Sequence, residues 1–143
     1  MIPDFRPATE ADLPFLLELR RTTMERHQRA SGVTPSEEAH LARVRVHFDC
    51  AQIVLVDGAP AGLLKVHRDG PDWELVQVQL LPALHGRGLG ARLLAPLVAE
   101  ARAAGARLRL RVLRANPARR LYERLGFVVE RQTPTHFDML LGA

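Results

Sequence analysis

A chain of 143 residues, 47% hydrophobic and 25% charged, has the balance of one ordinary globular domain, long enough to bury a real core. The lone cysteine, Cys50, excludes an internal disulfide framework; no apolar run reaches a membrane span and the N-terminus has no signal-peptide core, so a reducing cytoplasm and no membrane partner are expected. The net charge of +4 rests almost wholly on arginine, Lys65 being the only lysine, but without a long basic run or many aromatics to stack bases, nucleic acid is not an expected partner.

Residues 2–6 read as a short strand closed by Pro7, and Thr9 with Asp12 as a capping box for a helix running to about Ala30. Leu13, Leu16, Leu17, Leu19 and Met24 give that helix an apolar side, while Arg20, Arg21, Glu25, Arg26 and Arg29 are expected to fall elsewhere. Ser31-Gly32 breaks it. A second helix is expected from near Pro35 to near Asp49, with Leu41, Val44 and Phe48 as its buried stripe. Strands follow at 52–56 and 61–66, joined by the hairpin signal Asp57-Gly58, and a turn at 69–72 leads into a long strand at 73–81. These four strands read as an antiparallel meander. A helix then runs to about Ala104, with Pro96 inside it at a cost of roughly 3 kcal/mol unless the helix bends. A strand at 107–113, a helix opened by Asn116, and strands at 128–132 and 135–141 complete the order. The fourth and fifth strands, joined through a helix, form a parallel crossover. The fold class is therefore α/β: a mixed, mostly antiparallel sheet of about seven strands flanked by about four helices, in one domain spanning 1–143.

The chemistry concentrates where the fourth strand ends. Gly86, Gly88 and Gly90 alternate between that strand and an amphipathic helix. Glycines let the backbone approach a ligand closely and turn its N–H groups the same way. A helix start adds unpaired donors and the positive end of a dipole, so phosphate is the natural ligand. A nucleoside-triphosphate loop would need Lys and then Ser or Thr after the second glycine, and neither is present. A dinucleotide fingerprint is met by Gly86, Gly88 and Ala91, but it wants a carboxylate at the end of the next strand, and Arg107–Leu113, RLRLRVL, has none. The histidines are scattered and no grouping of His and Cys has metal-ligand spacing, so no metal is expected.

A third reading of the loop comes from resemblance. His85-Gly86-Arg87-Gly88-Leu89-Gly90 resembles the Gln/Arg-x-x-Gly-x-Gly/Ala pyrophosphate loop of the GNAT superfamily of N-acetyltransferases, with His85 in the Gln/Arg slot. Downstream, Asn116-Pro117-Ala118-Arg119-Arg120-Leu121-Tyr122-Glu123-Arg124-Leu125-Gly126-Phe127 is similar to the segment of that family ending L-Y-E-x-L-G-F. This segment also stands on its own physics. Asn116 caps a helix, Pro117 takes its first position and Gly126 ends it, while Ala118, Leu121, Tyr122 and Leu125 share one face.

The resemblance implies the acyl-CoA N-acyltransferase fold, whose fourth and fifth strands splay around acetyl-CoA. It implies a pantetheine arm on the backbone of Val78, Gln79 and Leu80, and a pyrophosphate on His85, Gly86, Arg87, Gly88, Leu89, Gly90 and Ala91. Asn116 would meet the cofactor arm, and Tyr122 would be the general acid for the departing thiolate. Glu74 matches the catalytic base of some members, and burial beside Trp73 is expected to raise its pKa; other members use water chains instead. Gln77 and Gln79, on the other parity of that strand from Glu74, and His136 on the last strand are candidates for the acceptor pocket. The expected activity is direct transfer of acetyl from acetyl-CoA to a primary amine of a small molecule or peptide, because no cysteine lies near either motif to carry an acyl group. The arginines of the first helix favour an acceptor with a carboxylate or phosphate. A non-catalytic acyl-CoA-binding module and a dinucleotide-binding oxidoreductase stay open as alternatives, and a homodimer is open because such folds commonly pair.

Overall fold

In the computed structural model, which describes residues 2–142, the period-two apolar runs become seven strands of one sheet. They are β1 (Asp4–Pro7), β2 (Ala51–Val56), β3 (Ala59–Asp69), β4 (Asp72–Leu80), β5 (Arg107–Leu113), β6 (Val128–Gln132) and β7 (His136–Leu141). Their spatial order is β1-β2-β3-β4-β5-β7-β6. Only β4 and β5 run parallel, and α3 (Leu89–Ala103) joins them; the other five pairings are antiparallel. The expected meander and crossover are both present. Because β7 lies antiparallel between β5 and β6, the described residues hold no second pair of adjacent parallel strands of the kind a dinucleotide site needs.

The helices divide between the two sheet faces. Against one face, Leu16 and Leu19 of α1 (Leu13–Ala30) and Val44 of α2 (Glu37–Arg45) pack with Ala51, Ile53 and Leu63. Against the other, Leu93, Leu94 and Leu97 of α3 pack with Leu108, Leu110 and Met139, joined by Tyr122 of α4 (Ala118–Arg124). Each fully buried leucine contributes roughly 1.5–3 kcal/mol. Pro96 lies on the exposed side of α3 and does not end it. No helix among the described residues is long and apolar enough to cross a membrane.

The start of α1 follows expectation. The Asp12 carboxylate accepts from the Thr9 N–H at 2.8 Å and from both ends of the Arg6 guanidinium at 2.9 Å, which ties β1 to the helix. The Arg6 hydrogen bonds hold its pKa below the ordinary carboxylate value.

α2 departs from expectation in two ways. It stops at Arg45 rather than near Asp49, because Lys65 takes its terminal carbonyls. The buried Lys65 Nζ donates to Val46 O at 2.6 Å, Val44 O at 2.7 Å and Arg43 O at 3.2 Å, and His47 then turns left-handed at φ 50°. Such a helix end needs donors, and an ammonium also favours the negative end of the dipole. Second, Leu41 is 37% exposed; the inward position belongs to His40. Its Nδ1 accepts from Arg20 Nε at 3.1 Å and its Nε2 lies 2.7 Å from Glu25 Oε2. Arg20, expected on the polar side of α1, is thus buried.

Candidate active site

β4 and β5 pair only from Asp72 opposite Arg107 to Leu75 opposite Leu110. Beyond Leu75 the two strands diverge, and a cleft of about 1120 Å³ opens between them, lined by Val76, Gln77, Val78 and Gln79 on one side and Val112 and Leu113 on the other. Divergence leaves strand backbone without a sheet partner, so an extended ligand with amide groups can pair there. The α1–α2 turn reaches the far wall, where Ser31 Oγ accepts from Ala115 N at 3.0 Å.

A β-bulge sets which side chains face the cleft. Leu75 lies opposite Val66, but Gln77 lies opposite Lys65, so Val76 is an extra residue in β4. The Val76 carbonyl accepts from Arg43 Nη2 at 2.6 Å. The extra residue inverts the alternation. Glu74, Gln77 and Gln79 pair with His67, Lys65 and Leu63, so all three share the α1–α2 face. The sequence parity that separated Glu74 from the two glutamines is corrected by one inserted residue. A strand Gly marks a close approach nearby: a Cβ on Gly62 would lie 2.2 Å from Gln79 O.

The glycine loop takes the expected form. Gly86 and Gly88 adopt φ of 76° and 72°, and a Cβ on either would meet nothing within 4 Å. Gly88 immediately precedes α3, whose start no side chain caps, and this leaves its first N–H groups suited to an anion. Leu89 anchors the turn in the core at 1% exposure. Gly90 serves another purpose: a Cβ there would lie 3.0 Å from Leu121, so its size lets α3 approach α4. Ala91 is half-buried in the same turn, and Arg87 is exposed without an ion pair among the described residues. The His85 ring points back to the strand, Nε2 being 2.9 Å from Leu80 O. Two expected ligand groups, His85 and the Leu80 carbonyl, therefore hold each other.

Asn116 Oδ1 accepts from Ala118 N at 3.0 Å, the expected cap, although α4 begins one residue later than Pro117. Asn116 and Tyr122 both line the cleft. Tyr122 is buried edge-on to Phe127, with ring centroids 5.9 Å apart, and burial pushes its pKa up to about 12. Glu74 also lines the cleft, but it is exposed rather than buried beside Trp73. Neighbouring residues on a strand face opposite ways, and Trp73 goes into the α3 core. His136 is half-buried on the far wall, its Nδ1 2.6 Å from Thr135 Oγ1; burial and then Arg111 hold its pKa below 6.5, so it is largely neutral at physiological pH.

The sequence ties the first-helix arginines to the acceptor without singling out Arg20, and it does not place Met24, Gln28 or Arg43 at the site. Arg20, Met24 and Gln28 stand at i, i+4 and i+8 on α1 and line the cleft together, with Arg43 of α2 beside them. The spacing is visible, but Met24 reads with the apolar side and Arg20 with the opposite one, which conceals that they share a face. Elsewhere, Glu25, Glu37 and His40 bring one ligand atom each within 4.8 Å. None of them lines the cleft, and they belong to an ion-pair cluster in which Glu25 faces His40 and Arg29 while Glu37 pairs with Arg21.

Many solved structures share this fold. The chain is similar to the PaiA N-acetyltransferase of Thermoplasma acidophilum in complex with coenzyme A, at 20% identity over 100% of both chains and a TM-score of 0.75. It is similar to an acetyltransferase from Thermus thermophilus, at 21% identity over 100% of this chain and 98% of the other, with a TM-score of 0.76. The ribosomal-protein-S18-alanine N-acetyltransferase of Escherichia coli aligns at 20% identity over 99% and 94%, with a TM-score of 0.71. No curated protein sequence matches the chain. The model of the Acetyltransferase (GNAT) family matches residues 13–127, which take in the diverging strands, the glycine loop and the Tyr122 helix. The chain belongs to the GNAT acetyltransferase family.

Proposed function

We propose that the protein moves an acetyl group from acetyl-CoA to a primary amine by direct transfer in a ternary complex. The observation that carries this is the parting of β4 from β5 into a cleft that holds Tyr122 on its wall, with the uncapped, glycine-opened start of α3 directly after β4. A thioester with a pantetheine arm and a pyrophosphate matches that arrangement. The β4 backbone at Val78, Gln79 and Leu80 would receive the arm, and Asn116 would meet it from the far wall. His85, Gly86, Arg87, Gly88, Leu89, Gly90 and Ala91 would receive the pyrophosphate, Arg87 as an exposed clamp and His85 by releasing Leu80.

In the reaction the amine nitrogen bonds to the thioester carbonyl carbon, the C–S bond breaks, and the nitrogen loses one proton. Glu74 is the proposed base, on the face that the bulge lets it share with Gln77 and Gln79. His136 is a second base, favoured by its neutral form and its place on the cleft wall. Tyr122 is the proposed acid. A phenol near 12 stays protonated, but its transfer to a free thiolate of reference pKa about 8.5 is uphill by roughly 5 kcal/mol. The hydroxyl therefore donates while charge builds on sulfur and recovers a proton from solvent. A non-catalytic acyl-CoA-binding module is separated from this reading by thiol release. Steady CoA release with at least one amine of a broad panel supports transfer; acetyl-CoA binding without release from any amine rejects it.

A further inference from the structure

The acceptor half of the cleft carries two cations with no ion pair among the described residues. Arg20 is 8% exposed, and its hydrogen bond there runs from Nε to the ring of His40, itself an uncharged partner when it accepts. Arg43 gives one bond to the Val76 carbonyl. The two guanidinium groups are close enough that Arg43, after burial, helps hold Arg20 down to about 10. Of the carboxylates in reach, Asp138 is committed to Arg111 and Arg131, and Glu25 to His40 and Arg29. Glu74 attracts Arg43 from the exposed rim without pairing with it. Two partly desolvated cations side by side are costly unless an anion joins them.

Beside them lie buried amides without partners. Gln77 is 4% exposed and neither its Oε1 nor its Nε2 is hydrogen-bonded; Gln28 and Gln79 are each 7% exposed with Oε1 unpaired. All three line the same cleft. Buried polar groups are ordinarily satisfied, so such a concentration marks a place where a ligand supplies the missing donors and acceptors. The two sets are complementary. Guanidinium groups bind a planar anion in a fork, and amide oxygens receive the N–H groups of an amine.

We infer that the acceptor is a small amine bearing its own carboxylate, an amino-acid-type substrate, with the carboxylate on Arg20 and Arg43 and the amine among the Gln28, Gln77 and Gln79 side chains. This deepens the proposed acetyltransferase reading and rests on it. It narrows the open amine to one chemical class.

The test uses alanine, leucine, phenylalanine and glutamate, each as the free acid, the primary amide, the decarboxylated amine and the aminophosphonate. Binding of each to the acetyl-CoA-saturated protein is measured by calorimetry, and turnover by CoA release. At least one free acid should exceed its amide and decarboxylated forms by roughly 10–100-fold, the size of a lost charged hydrogen bond. Arg43→Gln and Arg20→Gln should each reduce that preference to a few-fold while acetyl-CoA affinity holds. Equal or better use of the amides or amines overturns the inference, as does a preference that survives in both folded variants. Preference for the aminophosphonates overturns the carboxylate. Should Arg20→Gln fail to fold, the wild-type series and Arg43→Gln decide. Failure of acetyl-CoA to bind at all would instead reject the underlying reading, and calorimetry of the same series without acetyl-CoA then judges the anion preference alone.

Discussion

Tyr122 packs against Phe127 and lines the cleft, so Tyr122→Phe keeps the ring and removes only the hydroxyl. If the phenol serves the leaving sulfur, kcat should fall by roughly 10²–10⁴-fold while the acetyl-CoA dissociation constant holds. Near-normal kcat, with chemistry limiting, would leave Tyr122 a packing residue. The base is separated in the same way. Glu74→Gln should lower kcat by roughly 10²-fold or more, with the acid limb of the kcat/KM profile lost. Should Glu74→Gln leave that limb intact and His136→Gln remove it, the proton goes to His136, whose lowered pKa places the limb below 6.5.

At the scale of elements, what was legible depended on how local the physics was. The glycine loop and the Asn116 cap are set by neighbours a few residues away, and both took the form their spacing predicts. That Gln77 and Gln79 share the face of Glu74 was not legible, because a single bulge residue at Val76 reverses every side chain after it. The end of α2 was not legible either, since Lys65, the residue that closes it, comes from a distant strand. Lys65→Met removes donors from three carbonyls and should cost roughly 3 kcal/mol or more, read from the urea midpoint. Gly62→Ala would drive a Cβ into Gln79 O. It should cost roughly 1–3 kcal/mol and weaken acetyl-CoA binding by shifting the β4 edge. Unchanged binding in a destabilised Gly62→Ala protein would argue against that edge as the place of the pantetheine arm.

Across the whole molecule, the fold was readable because turn signals separated the strand and helix patterns clearly, whereas the buried charges were not. A residue scale assigns Arg20 and Lys65 to solvent; only the assembled sheet and helices show what surrounds them. Charge also links stability to pH. Arg111 and Arg131 hold the Asp138 carboxyl below 3.8, tying β5, β6 and β7 together. Because the folded pKa is depressed, the pair stabilises above 3.8 and its contribution disappears as pH falls through the lowered folded value. With both arginines exposed, Asp138→Asn should cost about 1 kcal/mol or less at pH 7, and the difference from wild type should vanish in strong acid.

Acetyl-CoA binding at the glycine loop is tested most directly by titrating acetyl-CoA into wild type and Gly88→Asp. The left-handed φ of 72° at Gly88 is one that Asp tolerates better than most residues, and the space beside it is open, so the fold should survive by circular dichroism. A carboxylate would then stand where the pyrophosphate is proposed to sit. Binding by the wild type together with a loss of at least about 100-fold in the folded variant is the predicted result. Equal affinity in the two proteins would contradict it.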